Sequence, residues 1–426
     1  MNRTMKDSGV KWIGEIPEHW GISTLRRVAT LYTGNSIKDE EKTLFENPEN
    51  AIPYISTKDI TASNGITSYD NGLYVSKDNN NFKKAFEGNI LICIEGGSAG
   101  KKKTQLSQNV AFVNKLCCIS SKNINNRYLY LYTLGKNFED YFQTQLTGII
   151  GGVSINNLKK FSIPILSLHE QQKIADFLDD KTSQIDIIID KTKQSIEEFK
   201  KYKLALITET VTKGLNPDIT MKDSGIEWIG EIPEHWEPIK LKYVLSERSI
   251  KSKTGEEEPL SMSQKYGLIK TRDMDLIPNM TNSYVGNKIV KKNDLVFNKL
   301  KAHLGVFSVS NYEGIVSPDY AVYYPKKEVN VKFLEYVFKT TNCITEFKKR
   351  SRGIAAGLTR LYTNDLFAIK CGIPSLKEQN EIVDYINQKS FHIDSLIADK
   401  EKLITELETY KKALIFEYVT GKKEVE

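Results

Sequence analysis

The sequence has few of the residues that build metal sites and disulfide frameworks. It contains 5 histidines and 5 cysteines among 426 residues. The cysteines are odd in number and form no Cys-x-x-Cys pair, which is typical of reduced cytosolic thiols rather than of a disulfide-rich secreted fold. The histidines form no His-x-x-x-His or His-Glu-x-x-His pattern. We therefore expect a cytoplasmic protein without a metal centre.

Long apolar runs and adjacent prolines are lacking too. No apolar run approaches the roughly 18 to 20 residues that cross a bilayer, and the first residues do not resemble a signal peptide. Without adjacent prolines the chain cannot contain the Pro-Pro-aromatic tetrapeptides of amino-methyltransferases. The glycine-rich residues 96–101 fail as a phosphate loop, because the glycines stand too close and Lys102 replaces a Ser or Thr. We predict a tight turn there, and no catalytic motif.

What the sequence does contain is a duplication. Residues 5–20 recur as residues 221–236 with 14 of 16 identical, and residues 169–215 match residues 377–423 at 18 of 47 positions. The chain is long enough for two domains of ordinary size. We therefore predict two copies of one unit that perform the same task. The histidine and tryptophans of the first repeat, such as His19 and Trp20, are interpreted as packing residues.

The second repeat predicts two long amphipathic helices. Apolar residues recur three and four positions apart and form one stripe on each helix. A serine stands three residues before a glutamate at both starts, and Gly214 and Gly421 follow the last turns. The stripes are expected to pair in an antiparallel coiled coil whose core residues are Ile174, Leu178, Ile185, Ile188, Ile196, Phe199, Leu206, Ile382, Ile386, Ile393, Leu396, Ile404, Leu407 and Leu414.

The regions before the helices are predicted to be divergent mixed α/β domains. Strand-like runs occupy residues 52–56, 89–94, 110–113, 294–297, 305–309 and 320–324, and helical segments lie around residues 127–146 and 331–350. The predicted fold class is α/β, with two such domains separated by two long helices in pseudo-twofold arrangement. The predicted boundaries are 1–166 and 215–374 for the domains, and 167–214 and 375–426 for the helical segments. The second helix should end six residues before the chain does, beside Met5.

Basic residues concentrate in glycine-flanked loops of a chain with a net charge of +6. Glycine lets the backbone approach a ligand closely, and lysine and arginine neutralise phosphates. A solvated surface is the alternative for each cluster taken alone. Two divergent basic domains suit a split DNA site. The candidate DNA contacts are Lys58, Lys101, Lys102, Lys103, Thr104, Lys265, Arg272, Lys299, Lys301, His303, Arg350, Arg352 and Arg360.

Two pairs of motifs carry a resemblance to a known family. Trp-Ile-Gly-Glu-Ile-Pro-Glu-His-Trp stands at both domain starts, and Ile-Pro followed by Ser-Leu-x-Glu-Gln opens both long helices. In this order and spacing they resemble the specificity subunit of type I restriction-modification enzymes, over essentially the whole chain. The resemblance implies a non-catalytic subunit. Its two target recognition domains would each read half of a bipartite DNA sequence, and its helices would set the spacer.

The resemblance also implies partners and cofactors. Double-stranded DNA is the ligand, and two modification subunits that carry S-adenosylmethionine would dock on the helices and methylate an adenine on each strand. Restriction subunits would add ATP- and Mg-dependent translocation and cleavage, while this chain itself binds no cofactor. The segment around Arg350 and Arg352 has a neutral counterpart at residues 145–148. The two domains are therefore expected to read different half-sites.

Two other functions remain open on the residues alone. A self-contained DNA-processing enzyme, such as a nuclease with a scattered acidic site, would cut DNA with magnesium alone. A coiled-coil assembly protein whose end domains bind other proteins would bind them with little dependence on salt. Contacts to several phosphates would instead make affinity fall steeply as salt rises.

Four residues inserted into each long helix, near Ile188 and Leu396, should lengthen the tolerated DNA spacer by about two base pairs. Four residues extend a helix by about 6 Å, and a base pair occupies roughly 3.4 Å. The positions of methylated adenines in DNA treated with the assembled complex measure the spacer. An unchanged spacer would show that the helices do not set it.

Overall fold

A computed structural model describes residues 4–62, 65–149, 151–263, 266–274, 283–326, 329–355 and 358–425. The chain divides into two compact units. Unit 1 contains residues 1–193 and 401–426, and unit 2 contains residues 194–400. Each of the two long helices therefore contributes residues to both units. Within the described residues, no helix is long and apolar enough to cross a membrane.

Unit 1 combines short strands with helices. Its strands are β1 (Met5–Asp7), β2 (Glu15–Pro17), β3 (Gly21–Thr24), β4 (Ala29–Thr33), β5 (Ala51–Ile55), β6 (Tyr74–Ser76), β7 (Lys84–Ala85), β8 (Ile90–Cys93), β9 (Lys103–Gln105), β10 (Val110–Phe112), β11 (Leu116–Ser121) and β12 (Ser162–Ile165). Its helices are α1 (Leu25–Val28), α2 (Asn126–Leu134), α3 (Lys136–Thr144), α4 (Ile155–Leu158) and α5 (Leu168–Lys213), which continues into unit 2.

A four-stranded antiparallel sheet in the order β4-β11-β8-β9 forms the centre of unit 1. Side chains alternate between its two faces, as the pleat of a strand requires. Ile90 and Ile92 pack in the cluster that includes residues of α2, α3 and α5. Leu91 and Cys93 pack on the other side with Phe112, which belongs to a second sheet in the order β6-β5-β10-β7. The central sheet thus joins a helical layer to a second sheet.

Unit 2 contains the corresponding elements. Its strands are β13 (Met221–Ile226), β14 (Gly230–Pro233), β15 (Glu237–Lys240), β16 (Leu245–Glu247), β17 (Leu260–Ser263), β18 (Gly267–Lys270), β19 (Lys288–Val290), β20 (Leu295–Asn298), β21 (Phe307–Val309), β22 (Gly314–Val316), β23 (Tyr320–Pro325), β24 (Arg352–Ala355), β25 (Leu358–Arg360) and β26 (Lys370–Ile373). Its helices are α6 (Val331–Lys339), α7 (Thr341–Arg350), α8 (Thr363–Phe367) and α9 (Leu376–Val419), which continues into unit 1.

The central sheet of unit 2 has the order β16-β23-β20-β21, which matches the central sheet of unit 1 strand for strand. Leu295 and Phe297 pack with the helices, and Val296 between them packs with the opposite cluster. The predicted mixed α/β class and the six predicted strand runs are confirmed. Two divergent sequences therefore build the same central sheet, because each keeps the alternation of buried side chains.

The two helical segments predicted before the long helices are each broken in two, which corrects the sequence-based prediction. Gly135 separates α2 from α3 with an extended backbone. In unit 2 Thr340 separates α6 from α7, and its side chain accepts a hydrogen bond from the backbone of Cys343. An extended residue that caps a new helix start ends one helix and begins another.

The N-terminus of α5 is held by the first repeat. Ser167 Oγ donates to Glu170 Oε2 at 2.9 Å and accepts from the Glu170 backbone at 3.2 Å, which confirms the predicted capping box. His19 Nε2 lies 2.9 Å from Glu170 Oε1, to which Trp20 Nε1 donates at 3.3 Å. Burial raises the pKa of Glu170, but hydrogen bonds from His19, Ser167 and Trp20 outweigh it and lower the pKa to about 2. The carboxylate therefore stays ionised and bonded.

The next residue, Gln171, joins this helix start to the rest of unit 1. Its Oε1 accepts from the backbone N–H of Asn125, the residue that caps α2, at 2.7 Å. Its Nε2 donates to the carbonyl of Leu166 at 2.8 Å. Because Gln171 is buried, this amide satisfies two backbone groups that water cannot reach.

Unit 2 repeats both contacts at its own helix start. Trp236 Nε1 donates to Glu378 Oε1 at 3.0 Å, and His235 Nε2 lies 2.8 Å from Glu378 Oε2. Gln379 Oε1 accepts from the backbone of Asn330 at 2.7 Å. The identical residues of the two repeats thus hold equivalent positions, which supports their interpretation as packing residues.

The end of α9 lies beside the first repeat in unit 1. Lys422 Nζ donates to the carbonyls of Ile13 and Glu15 at 3.0 Å each. Gly421 has a φ of +72° and contacts Pro17, the strand partner of Met5. The helix itself ends at Val419, within the predicted segment 375–426, and the expectation that its end lies near Met5 is confirmed.

In unit 1 the first part of α5 packs antiparallel to the last part of α9. Phe177 contacts Tyr418 with ring centroids 4.5 Å apart. Nine residues further along α5, Asp186 pairs with Lys411 at 2.6 Å, and Lys411 precedes Tyr418. Partners that advance on one helix and recede on the other define antiparallel packing.

In unit 2 the remaining parts of the two helices pack in the same antiparallel manner. Lys400 Nζ lies 5.7 Å from the ring centroid of Phe199, and Lys203 pairs with Asp394 at 2.6 Å. Each unit therefore contains its own segment of the antiparallel helix pair.

Most of the predicted core stripe lies buried, but one residue does not. The buried residues are Ile174, Leu178, Ile185, Ile196, Leu206, Ile382, Ile386, Ile393 and Leu414, and the half-buried ones are Phe199, Leu396, Ile404 and Leu407. Ile188 is 47% exposed, whereas its neighbour Ile189 is 5% exposed. The prediction is wrong for Ile188, because steps of four and then three residues from Ile185 reach Ile189 and Thr192 instead.

Alanine substitution should distinguish these two neighbouring isoleucines. Ile189→Ala leaves a cavity in the packed side of α5 and should lower the free energy of unfolding by about 2 to 5 kcal/mol. Ile188→Ala, one position away on the exposed side, should change it by no more than about 0.5 kcal/mol. Urea unfolding of the two variants measures both, and equal losses would contradict the packing described here.

Candidate nucleic-acid interface

Three loops of unit 1 are joined into one surface by hydrogen bonds. They are the 3₁₀ turn Thr57–Asp59, the turn of residues 94–102 between β8 and β9, and the loop after α3 with its described residues 147–149 and 151–152. Lys102 Nζ donates to the carbonyl of Thr57 at 2.7 Å, and the backbone of Gly96 donates to Gly151 at 2.8 Å. We call these residues the loop surface of unit 1. The predicted tight turn between strands at residues 96–101 is confirmed.

Two of the predicted cations of unit 1 are available on the loop surface. Lys58 and Lys101 are exposed, one on the 3₁₀ turn and the other at the end of the glycine-rich turn. Lys102 is half-buried, and its ammonium group joins the two turns through Thr57. Lys58 and Lys101 can therefore neutralise phosphates, while Lys102 positions them.

Lys103 and Thr104 are buried, so the prediction that they contact DNA is wrong. They belong to β9, and only 5% and 2% of their surfaces are exposed. Lys103 Nζ donates to the carbonyl of Thr133 at 2.6 Å, and Thr104 Oγ1 accepts from Thr67 at 2.8 Å. The sequence Lys-Lys-Lys-Thr reads as one basic cluster, but strand pairing with β8 turns its last two residues inward.

Burial changes the acidity of Lys103. Loss of hydration disfavours its charged form and lowers its pKa from 10.5 to about 8, although nearby Glu139 acts in the opposite direction. Lys412, which also favours deprotonation, pairs with Glu139 at 2.8 Å. The ammonium group is thus a structural donor to the end of α2.

Three loops of unit 2 carry most of its predicted basic residues. They are the 3₁₀ turn Thr271–Asp273, the connection of residues 299–306 between β20 and β21, and the hairpin β24-β25 after α7. The backbone of Leu361, just after β25, donates to the carbonyl of Lys299 at 3.0 Å. We call these residues the loop surface of unit 2. Lys299, Lys301 and His303 lie in the connection that corresponds to the glycine-rich turn of unit 1.

A Thr-(Lys or Arg)-Asp sequence forms a 3₁₀ turn in each unit. Thr57-Lys58-Asp59 and Thr271-Arg272-Asp273 both form the 3₁₀ turn and both expose the basic residue. In unit 1 the Asp59 carboxylate accepts from the backbone of Ser56 at 2.8 Å and fixes the turn. The two turns stand at different points of the topology, because the turn of unit 1 follows β5 directly, whereas the turn of unit 2 follows the hairpin β17-β18.

The arginines of unit 2 are paired with carboxylates. The pairs are Arg272 with Glu258 at 3.3 Å, Arg350 with Glu346 at 2.5 Å, Arg352 with Asp365 at 2.5 Å and Arg360 with Asp319 at 3.4 Å. Arg272 and Arg352 remain 63% and 70% exposed. Exposed pairs of this kind contribute little to stability, so a phosphate or a guanine edge can compete for the guanidinium group.

The lysines and the histidine of unit 2 occupy different environments. Lys301 is exposed, whereas burial lowers the pKa of Lys299, assisted by the charge of Lys288. His303 is half-buried, and its Nδ1 has no hydrogen-bond partner among the described residues. Lys265 lies outside the described residues. The exposed Lys301 is the lysine of this loop that is best placed for a phosphate.

A cavity of about 500 Å³ in unit 1 borders Lys101 and the inner side of Lys103. It is charged, but two ion pairs on its wall, Asp186 with Lys411 and Glu139 with Lys412, neutralise much of that charge. Within the described residues, no group of three or more His, Cys, Asp or Glu side chains could hold a metal ion. The cationic surface is therefore formed by the loops and not by the cavity.

Comparison with known proteins identifies the family. A profile described as the type I restriction modification DNA specificity domain matches residues 17–198 and again residues 233–409. The chain belongs to this family. The two matches begin at corresponding positions of the two repeats and include most of both units.

Similar proteins match over nearly the whole chain. The type I restriction enzyme MjaVIII specificity subunit of Methanocaldococcus jannaschii is 25% identical, over 96% of this chain and 93% of that protein. The EcoKI specificity subunit of Escherichia coli is 22% identical, over 90% and 84%.

Solved structures share the fold. A chain from a study of complex assembly and conformational transition of the type I R-M system aligns with a TM-score of 0.72 and 13% identity, over 96% of this chain and 99% of that one. The HsdS subunit from Thermoanaerobacter tengcongensis aligns with a TM-score of 0.51 and 16% identity, over 96% and 98%. The sequence-based resemblance and the predicted fold are confirmed.

Lys103→Met should alter the pH dependence of stability. The folded pKa of Lys103 is about 8 and the unfolded one 10.5, so between these values the unfolded chain binds more protons than the folded one. The stability of the parent protein should therefore gain a contribution that rises from about pH 8 to 10.5, and Lys103→Met should remove it. Urea midpoints at pH 8, 9 and 10 measure the slope.

Lys101→Met, at an exposed lysine two residues away, is the matched control and should leave that slope unchanged. An identical slope in the parent protein and in Lys103→Met would show that Lys103 does not titrate as a buried ammonium group.

Proposed function

We propose that this chain reads DNA sequence for a type I restriction-modification complex, with each unit reading one half of a bipartite target through its loop surface. The observation that carries the proposal is the equivalent placement of Lys101 and Lys301, which lie on the connections β8–β9 and β20–β21 of the two central sheets. Two divergent units keep an exposed lysine on the same connection of the central sheet, beside loops whose other side chains differ. A constant phosphate contact beside variable base contacts is the arrangement that sequence readers use.

The differences between the two loop surfaces support different half-sites. Around the loop after α3, unit 1 offers the neutral Gln145 and Thr147, whereas the hairpin of unit 2 carries Arg352 and Arg360. Arginine reads the two acceptors of guanine in the major groove, and neutral side chains suit other base patterns. Unit 2 is therefore the better candidate for a guanine-containing half-site.

The family assignment extends the proposal to partners. Two modification subunits would bind exposed flanks of α5 and α9, bring S-adenosylmethionine and methylate one adenine on each strand. Restriction subunits would bring ATP- and Mg-dependent translocation and cleavage. The helices would set the spacer between the half-sites. On this proposal the chain supplies specificity and no catalytic group.

The two alternative functions would require features that differ from those described above. A self-contained nuclease needs a catalytic constellation, and the sequence contains no recognisable motif of one. An assembly protein needs end domains that bind proteins, yet the loops that the two units share carry cations and glycine. Cleavage of DNA by the purified chain with magnesium alone would favour the first alternative over our proposal.

Exchange of residues 17–165 for the corresponding segment of a relative with another known target should change one half of the recognised sequence only. The reason is that this segment contains the loop surface of unit 1 and leaves unit 2 unaltered. Methylated adenines mapped across a genome that carries the exchanged chain and its modification subunit give the result.

The reciprocal exchange of residues 233–374 is the control and should change the other half alone. A target that does not respond to either exchange, or methylation without regard to sequence, would contradict the proposed function.

A further inference from the structure

Two glycines of the loop surfaces are not required by the fold. Most described glycines have either a left-handed φ or neighbouring atoms within 4 Å of where a Cβ would stand. Among the described glycines, Gly97 and Gly353 have neither. Gly97 lies in the glycine-rich turn of unit 1, and Gly353 lies in the hairpin of unit 2. Since neither backbone strain nor packing explains them, close approach by a ligand is the remaining physical role of glycine there.

Three other glycines of the same loops also have free space where a side chain would stand. A Cβ built on Gly96, Gly148 or Gly151 would also meet nothing within 4 Å. The φ angles of these three glycines, between +71° and +86°, explain why glycine occupies them. Together with Gly97 they give these loops four described positions without side chains, where a ligand can reach the backbone.

One apolar side chain is exposed in the same loops as these glycines. Ile149 is fully exposed at the tip of the loop after α3, with a relative accessibility of 107%. Isolated exposed apolar residues are common. Hydrogen bonds of 2.8 Å from Gly96 to Gly151 and 2.9 Å from Val153 to Ile94 fasten the base of the loop on which it stands. An exposed apolar side chain among open glycines is suited to contact a flat or grooved apolar partner.

The charged side chains of the loop surface indicate what kind of ligand Ile149 contacts. Lys101 is exposed on the glycine-rich turn that is bonded to this loop, and Lys58 is exposed on the 3₁₀ turn that Lys102 joins to the glycine-rich turn. The loop surface thus combines cations with an apolar side chain. A DNA duplex offers the complement, with phosphates on either side of apolar base surfaces such as the thymine methyl group. Glu95 is an exposed carboxylate on the same turn, and base amino groups are donors that a carboxylate can accept from in the groove.

We propose that Gly97 and Ile149 form the base-contacting centre of unit 1. Gly97 allows the backbone to approach the base edges, Ile149 packs against an apolar base surface, and Lys58 and Lys101 hold the neighbouring phosphates. Gly353, next to Arg352, is the position of equally close approach in unit 2. The proposal rests on the proposed function and adds the residues through which the first half-site is read.

Binding by the assembled complex, with its modification subunits, tests the proposal on two duplexes, one with the mapped target and one with its first half-site scrambled. Ile149→Ala and Gly97→Ala should each weaken binding to the target by about tenfold, the size of one good base contact. Binding to the scrambled duplex should not change. The slope of log affinity against log salt should also stay constant, because neither residue touches a phosphate.

Lys101→Ala provides the contrast and Leu44→Ala the control. Lys101→Ala should weaken binding to both duplexes and make the salt slope shallower by about one. Leu44 is 78% exposed on the 3₁₀ helix Asp39–Phe45, outside the loop surface, and its replacement should leave both affinities unchanged. Ile149→Leu should restore most of the binding lost in Ile149→Ala.

Several results would overturn the inference while leaving the proposed function intact. They are parent-like target affinity in both Gly97→Ala and Ile149→Ala, an equal loss on both duplexes, or a loss traced to failed assembly with the modification subunits. A lower urea midpoint for Gly97→Ala would show that the fold does require this glycine and would also overturn it. A parent complex that binds both duplexes equally would instead remove the proposed function itself.

Discussion

The carboxylate and the amide that open each long helix hold the structure of each unit together. Glu170 binds His19 and Trp20 of the first repeat, and Gln171 binds the backbone at the start of α2. Three elements far apart in the chain are thereby fixed at one helix start. Unit 2 does the same with Glu378 and Gln379. A buried amide or a bonded carboxylate is costly to leave unpaired, so these residues must stay while others change.

This frame leaves the connections between the strands free to differ. The central sheets of the two units have the same strand order although their sequences have diverged, and the equivalent connections β8–β9 and β20–β21 belong to the two loop surfaces. In each unit one connection exposes a basic residue, and the others differ in charge and glycine content. A constant frame with variable loops lets the side chains that face a ligand change without loss of the core. That separation is what a family of sequence readers requires.

The sequence predicted the elements that depend on periodicity and not the contacts that depend on folding. The apolar stripe, the capping serines and the terminal glycines located both long helices. Burial within a basic cluster was not predictable, because Lys103 is turned inward by strand pairing that the local sequence does not encode. The prediction for Ile188 was wrong for a similar reason. Ile188 and Ile189 fit the apolar stripe almost equally, and only the packing of the folded helix shows that Ile189 is the buried one. The importance of Gly97 becomes visible only from the empty space around it.

Amide hydrogen exchange of the assembled complex, with and without target DNA, tests most directly whether the loops read the sequence. The account predicts DNA-dependent protection in residues 95–102 and 147–149 of unit 1 and in residues 299–305 and 352–355 of unit 2. The turns that contain Lys58 and Arg272 should be protected too, and exchange around the helix starts should not change. Protection confined to α5 and α9, with the loops exchanging as freely as without DNA, would contradict it.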